Sequence, residues 1–193
     1  NEVLTMVEFK SFSPNKKLSK NDFNSKYIME ELICQVNEMA SFHESSVNTI
    51  RITTINYGDH IDIIHPFMRT GQGGSFVDNG GSGGIIAAIS PDNGKVIAAC
   101  DESLNWYELH PNSKLPLVGF KVPYWEAAIS TARALATMLP NVKYVGWDLA
   151  LTEKGWVMVE GNDFGAFVGF QLPTRKGFRL EFENIKKQLY NNI

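Results

Sequence analysis

Cysteine is nearly absent from this sequence: Cys34 and Cys100 are the only two in 193 residues. Two isolated thiols in apolar surroundings read as buried small residues rather than as bridges, a usage that suits a reducing cytosol. No apolar run approaches the roughly 20 residues of a membrane-spanning helix, and no secretory signal pattern opens the chain. Basic charge is not in excess either. The formal net charge of -3 argues against a nucleic-acid partner, which would favour a basic face. Histidine is sparse, and three of the four (His43, His60 and His65) show no ligand spacing and read as structural. What remains is ordinary soluble-protein composition, 44% hydrophobic and 20% charged. A chain of this length can bury a core without metals or disulfides.

Residues 11–26 are polar and read as a lead-in, and 1–26 together as that lead-in or the remnant of an upstream subdomain. The body, 27–193, begins with the short apolar run 27–33, which carries Glu30 and Glu31. β-Branched residues mark 47–55 as a strand, the Tyr57-Gly58-Asp59 turn returns the chain, and 61–68 reads as the hairpin partner. Seven glycines between Gly71 and Gly84 exclude a regular element there. Two short apolar strands, 85–89 and 95–99, follow around Asp92-Asn93-Gly94. Pro123 to Leu139 has helical spacing through Trp125, Ile129, Ala132, Ala136 and Leu139, with Pro123 at the first helical position. Strands 143–151 and 156–162 and a polar helix over about 182–190 complete the chain. The pattern is α+β, a mostly antiparallel sheet with covering helices.

The strands 143–151 and 156–162 hold the chemistry. With Glu153-Lys154-Gly155 as a three-residue loop, Thr152 faces Trp156 and Asp148 faces Glu160. Asn162 then shares their face, about 7 Å further along. Val145, Trp147, Leu149, Leu151, Val157 and Val159 form the opposite, apolar face. Two carboxylates and an amide suit magnesium, a hard cation that takes oxygen ligands and shares itself with substrate phosphates. They are equally the solvated face of an amphipathic hairpin, and a two-residue loop would slip the register and turn Asp148 into the core. Arg51, between Ile50 and Ile52, points away from the face they bury and can clamp phosphate or carboxylate bidentately. Arg51 and Arg69 are candidates for holding a transferred phosphoryl group, with a surface salt bridge as the alternative for each.

The order of Ser46-Val47-Asn48-Thr49-Ile50-Arg51, Met68-Arg69-Thr70-Gly71, Val77-Asp78-Asn79, Gly83-Gly84-Ile85, His110-Pro111, Val122-Pro123-Tyr124-Trp125 and Val145-Gly146-Trp147-Asp148 resembles the sugar-transfer-associated ATP-grasp family. The acid at 148 followed by Glu160-x-Asn162 is similar to that group's magnesium motif. The resemblance spans roughly residues 27 to 165. It implies the carboxy-terminal half of an ATP-grasp fold and an ATP- and magnesium-dependent ligase in surface-polysaccharide or nucleotide-sugar metabolism. Such an enzyme works in the cytoplasm on a carboxylate-bearing small molecule or glycan precursor, through an acyl phosphate. It assigns Asp148, Glu160 and Asn162 to magnesium bridging the ATP phosphates, and Glu30, Glu31 and Ile33 to the adenine edge. The glycine stretch reads as closing over the substrate, with Asp78 and Asn79 as contacts, or as a plain flexible loop. His110 reads as a substrate contact or base, or as a residue that satisfies a turn. The family's lysine-bearing half would lie upstream of Tyr27, and Lys10, Lys16 and Lys17 do not stand in a matching context.

Two other classes compete. A carbohydrate-binding module would stack sugars on Trp106, Tyr107, Tyr124 and Trp125, although Trp125 falls on the helix's apolar stripe. A glycosidase would use Asp148 and Glu160 as its carboxylate pair, which leaves Arg51 and Asn162 without roles. The phosphate-loop pattern is absent, because no Gly-Lys-Ser/Thr follows the glycines.

Overall fold

The segment richest in β-branched residues becomes the centre of the sheet. It is β1 (Thr49–Asn56), buried along its whole length. A computed structural model of the protein describes residues 32–74, 83–163, 165 and 167–191. The chain divides into two units, Asn1–Ile33 and Cys34–Ile193. After the short helix α1 (Asn37–Ala40) and β1 come β2 (Ile61–Thr70), β3 (Ile85–Ile89), β4 (Val96–Cys100), α2 (Trp125–Thr137), β5 (Tyr144–Thr152), β6 (Gly155–Asn162), α3 (Val168–Thr174) and α4 (Arg179–Asn191). All six strands join one antiparallel sheet in the order β4-β3-β2-β1-β5-β6. The expected α+β architecture is present.

Alternation along the strands divides the sheet into two faces. Ile50 and Ile52 of β1, Met68 of β2, Ile85, Ala87 and Ile89 of β3, and Val145, Trp147, Leu149 and Leu151 of β5 belong to one core cluster. Helix α2 covers that face with Trp125, Ala128, Ile129, Ala132 and Ala136. The other face carries Arg51 and Thr53, and α3 and α4 cover parts of it. Phe170 joins Phe67, Ile86 and Ala88 in one small cluster, and Ile185 joins Ile55 and Tyr57 in another.

Three expectations need correction. Tyr124 adopts a left-handed conformation (φ 50°, ψ 42°), so no helical path runs through it and α2 starts at Trp125 rather than Pro123. Cys34 is exposed and only Cys100 is buried. The apolar neighbour of Cys34, Leu32, is itself exposed, so that short run provides no cover. The 148–162 hairpin also turns differently. Its loop has two residues, Glu153 and Lys154, so Thr152 pairs with Gly155 and Leu151 with Trp156.

That shorter loop alone would have placed Asp148 opposite Val159. A β-bulge intervenes between the Leu149–Met158 and Asp148–Glu160 pairs, with Val159 as the extra residue, and restores Asp148 to Glu160. The carboxylate pairing therefore stands, while the apolar wall changes. Trp156 packs on the core cluster, whereas Val157 pairs with Ala150 on the other face and Val159 is exposed. Beyond the bulge, Gly161 lies over Trp147, where an added Cβ would sit 2.8 Å from the ring. The indole is held in place by its Nε1–H, which donates to Thr54 Oγ1 at 2.9 Å.

Gly161→Ala is expected to destabilise the fold by about 1–3 kcal/mol through overpacking against Trp147. Gly74→Ala, where an added Cβ meets nothing within 4 Å, is the neutral control. Thermal unfolding of the two variants measures the difference.

Candidate functional site

Three neighbouring strands each contribute one charged side chain to the face opposite α2. Arg51 on β1 pairs in register with Asp148 on β5, and Arg69 on β2 pairs with Thr49 on β1. Arg51 grips Asp148 bidentately: Nε donates to Oδ1 at 2.6 Å and Nη2 to Oδ2 at 2.5 Å. Arg69 Nη2 donates to the same Oδ2 at 2.8 Å, and its Nε and Nη2 also donate to Thr49 Oγ1 at 3.2 and 3.1 Å. Asp148 has no exposed surface. A carboxylate offers about four acceptor sites, so three charge-assisted bonds nearly fill this one.

Glu160 and Asn162 extend the cluster toward solvent on the edge strand β6. Glu160 Oε1 lies 3.5 Å from Arg51 Nη2 and accepts from Asn162 Nδ2 at 3.0 Å. The two acids are pushed in opposite directions. Burial lifts the Asp148 carboxyl above its ordinary value, against the Arg51 hydrogen bond and the two arginine charges. The Asn162 amide, then a hydrogen bond shared with Asp148, hold Glu160 below its ordinary value. Such a pair titrates as a unit. Burial works against the Arg51 charge, but the Asp148 hydrogen bond and charge overcome it and raise the guanidinium further.

Sequence reasoning missed three residues that shape this site. Gly146 pairs with both Thr53 and Asn162. An added Cβ there would stand 3.3 Å from Arg51 Cδ, so the missing side chain lets the arginine lie along the sheet. The signal was available, since an isolated glycine inside a strand marks a close approach. Thr49, the Arg69 acceptor, left no comparable mark. Phe67 backs Arg51, with Cζ 5.8 Å from the ring centroid.

By type the donors suit a magnesium ion shared with phosphates; as arranged, Glu160 is exposed while Asp148 has both oxygens taken up by Arg51 and Arg69. Among the described residues no three His, Cys, Asp or Glu side chains converge as a metal cage. Two carboxylates and an amide match the sparser protein ligation that magnesium accepts. As oriented here, Asn162 turns its amide nitrogen to Glu160, so offering its oxygen on that side requires the amide to flip.

Glu30, Glu31, Asp78 and Asn79 fall outside the described residues. Ile33 is half-buried and outside any strand. His110 is fully buried beside the glycine-rich stretch. Its Nε2–H donates to Gly71 O at 2.9 Å, and Nδ1 accepts from the Asn112 and Ser113 N–H groups, each at 3.3 Å. His43 works alongside it, with Nε2 3.1 Å from Gly73 O and Nδ1 2.9 Å from Ser46 Oγ. Together with Asn112 Oδ1, which accepts from Gly73 N at 2.9 Å, these histidines fix the chain where it leaves β2. That exit follows Arg69 by two residues.

The sugar-transfer associated ATP-grasp family model matches residues 12–187. No curated protein matches the chain.

Truncating Arg51 to Ala strands Asp148 with a single guanidinium, and stability is expected to fall by about 3–5 kcal/mol, as when one partner of a buried ion pair is removed. Arg51→Lys, which keeps the charge and loses the fork, should recover part of that in urea unfolding. A second prediction concerns pH. Burial keeps His110 below its ordinary value of 6.5. The unfolded chain therefore binds the proton first, and stability complete above about pH 6.5 is lost as pH falls toward the lowered folded value. His110→Asn should flatten that part of the Tm–pH profile.

Proposed function

The chain belongs to the sugar-transfer associated ATP-grasp family, and from that premise we propose that it binds ATP with magnesium and performs ligase-type acyl transfer. The acceptor chemistry is that of surface-polysaccharide or nucleotide-sugar metabolism, and the reaction runs in the cytoplasm. In this reading a substrate carboxylate oxygen attacks the γ-phosphorus of ATP, giving an acyl phosphate and ADP. An amine or hydroxyl then attacks the acyl carbon, phosphate leaves, and the nucleophile gives up its proton.

The observation that supports this reading is the convergence of Arg51, Arg69, Asp148, Glu160 and Asn162 on one face of the sheet. Asp148, Glu160 and Asn162 would hold magnesium, which supplies charge neutralisation at the triphosphate when bound. Arg51 and Arg69 hold the carboxylate until that point and then turn part of their donor capacity to the transferring phosphoryl group. Phosphoryl transfer depends on this kind of positioning and charge stabilisation. The adenine is assigned to the segment ending at Ile33, with Glu30 and Glu31, and the substrate to Asp78 and Asn79. His110, expected at the substrate, is fully buried with both ring nitrogens engaged, and in this reading it acts indirectly, by holding Gly71. A glycosidase fits less well, because a carboxylate pair alone would leave Arg51 and Asn162, which converge with it, without roles.

Magnesium-ATP at about 100 times its Kd is expected to stabilise the protein by about 2.7 kcal/mol. The Asp148→Asn/Glu160→Gln double variant should lose that gain. Thermal shift with and without nucleotide measures both, and a shift that survives in the double variant would sink the metal assignment.

A further inference from the structure

A second concave site lies at the amino-terminal end of α2, away from the carboxylate–arginine cluster. It is a cleft of about 660 Å³ lined by Asp92 and Asn93 of the β3–β4 turn, and by residues 121–127 around Tyr124. That volume falls within the roughly 300–1,000 Å³ of small-molecule clefts. Its walls are tied down. Gly94 N donates to Ser90 O at 3.0 Å and Val122 N to Gly94 O at 2.9 Å, while Trp125 Nε1 donates to Pro91 O at 3.1 Å. Gly94 (φ 72°) is pressed so closely on Trp125 that an added Cβ would sit 2.5 Å from the indole.

Among the described residues Tyr124 is one of five non-glycine residues with positive φ, and it is the one that lines this cleft. It holds a left-handed conformation that bulky residues rarely adopt, and yet the residue is 72% exposed. Strain of this kind persists where the surroundings enforce it, and it gathers at ligand sites. The backbone position is enforced here: Tyr124 O accepts from Trp156 Nε1 at 3.2 Å and from the Ala127 and Ala128 N–H groups. The ring itself packs little and stands at the cleft as an open aromatic face.

We infer that this cleft binds a neutral sugar, one ring of which lies on Tyr124. The polar lining has both signs: Asp92 and Glu126 accept hydrogen bonds, Lys121 donates them, and none of these three side chains bonds another described residue. Polyhydroxylated rings match that mixture, since every hydroxyl both donates and accepts. The C–H face of a pyranose supplies the apolar surface that an exposed aromatic ring lacks. A free anion would gain from the helix end and Lys121 but would meet two carboxylates. A cation would meet Lys121. The site stands independently of the nucleotide reading and is tested without ATP or magnesium.

Saturation-transfer NMR on the full chain, with methyl glucopyranoside, maltotriose and chitotriose as probes, tests the inference. At least one is expected to receive saturation from the wild type, and Tyr124→Ala should abolish it. Tyr124→Gly relieves the left-handed strain, so its Tm should be no lower than wild type while the sugar signal is still lost. That separates a missing binding face from a failed fold. Transfer that persists in Tyr124→Gly would overturn the site. So would its absence with all three sugars, or a stronger wild-type response to glucuronate, inorganic phosphate or a lysine-rich peptide.

Discussion

Two guanidiniums from adjacent strands close on a single carboxylate that has no contact with water. A buried charge is costly unless it is paired and its lone pairs are satisfied. Asp148 meets that condition only if β1, β2 and β5 lie side by side, with Arg51 opposite Asp148 and Arg69 opposite Thr49. The pairing thus selects strand register as well as joining side chains. A one-residue slip would send either arginine into the apolar layer under α2, or Asp148 among Trp147's neighbours. Gly146 and Phe67 complete the requirement, one by giving the Arg51 stem room and the other by backing its head.

The edge of the sheet solves a related problem by a different means. The tight turn at Glu153-Lys154 sets a register that carries Asp148 to the wrong partner, and the bulge at Val159 corrects it within five residues. The bulge also exposes Val159 and lifts Glu160 and Asn162 toward solvent. The site consequently grades from a dry, arginine-bound acid to a wet, amide-bound one. Burial raises the inner carboxyl above its ordinary value, the Asn162 hydrogen bond lowers the outer one below its own, and the outer one stays exposed. Bulges on edge strands also discourage pairing with other chains.

The two faces of the sheet have separate duties. One is apolar and roofed by α2, whose first turn is anchored by Trp125 and preceded by the strained, exposed Tyr124. The other carries the charges, flanked by aromatic clusters under α3 and α4. His43 and His110 stand where the chain leaves β2, and both spend their ring nitrogens on backbone or hydroxyl partners. Their work is positional, close to Arg69 and outside the charge cluster.

The sequence alone determined the fold class and the family, and it singled out the five polar residues that the fold brings onto one face. β-Branched residues marked β1, and short apolar or alternating runs bounded by turn residues marked the other five strands, because those side chains suit a buried pleated backbone. The Asp148–Glu160–Asn162 spacing and the isolated Arg51 were likewise visible as alternation. Tertiary structure decided what alternation cannot encode. The bulge at Val159 depends on pairing with β5, the left-handed turn at Tyr124 on bonds from Trp156, and the exposure of Cys34 on what fails to cover it. Above all, Arg51 and Asp148 are 97 residues apart in the chain. No local pattern could reveal that the proposed phosphate clamp and the proposed metal ligand hold one another, because only the closing of the sheet brings the two charges within reach.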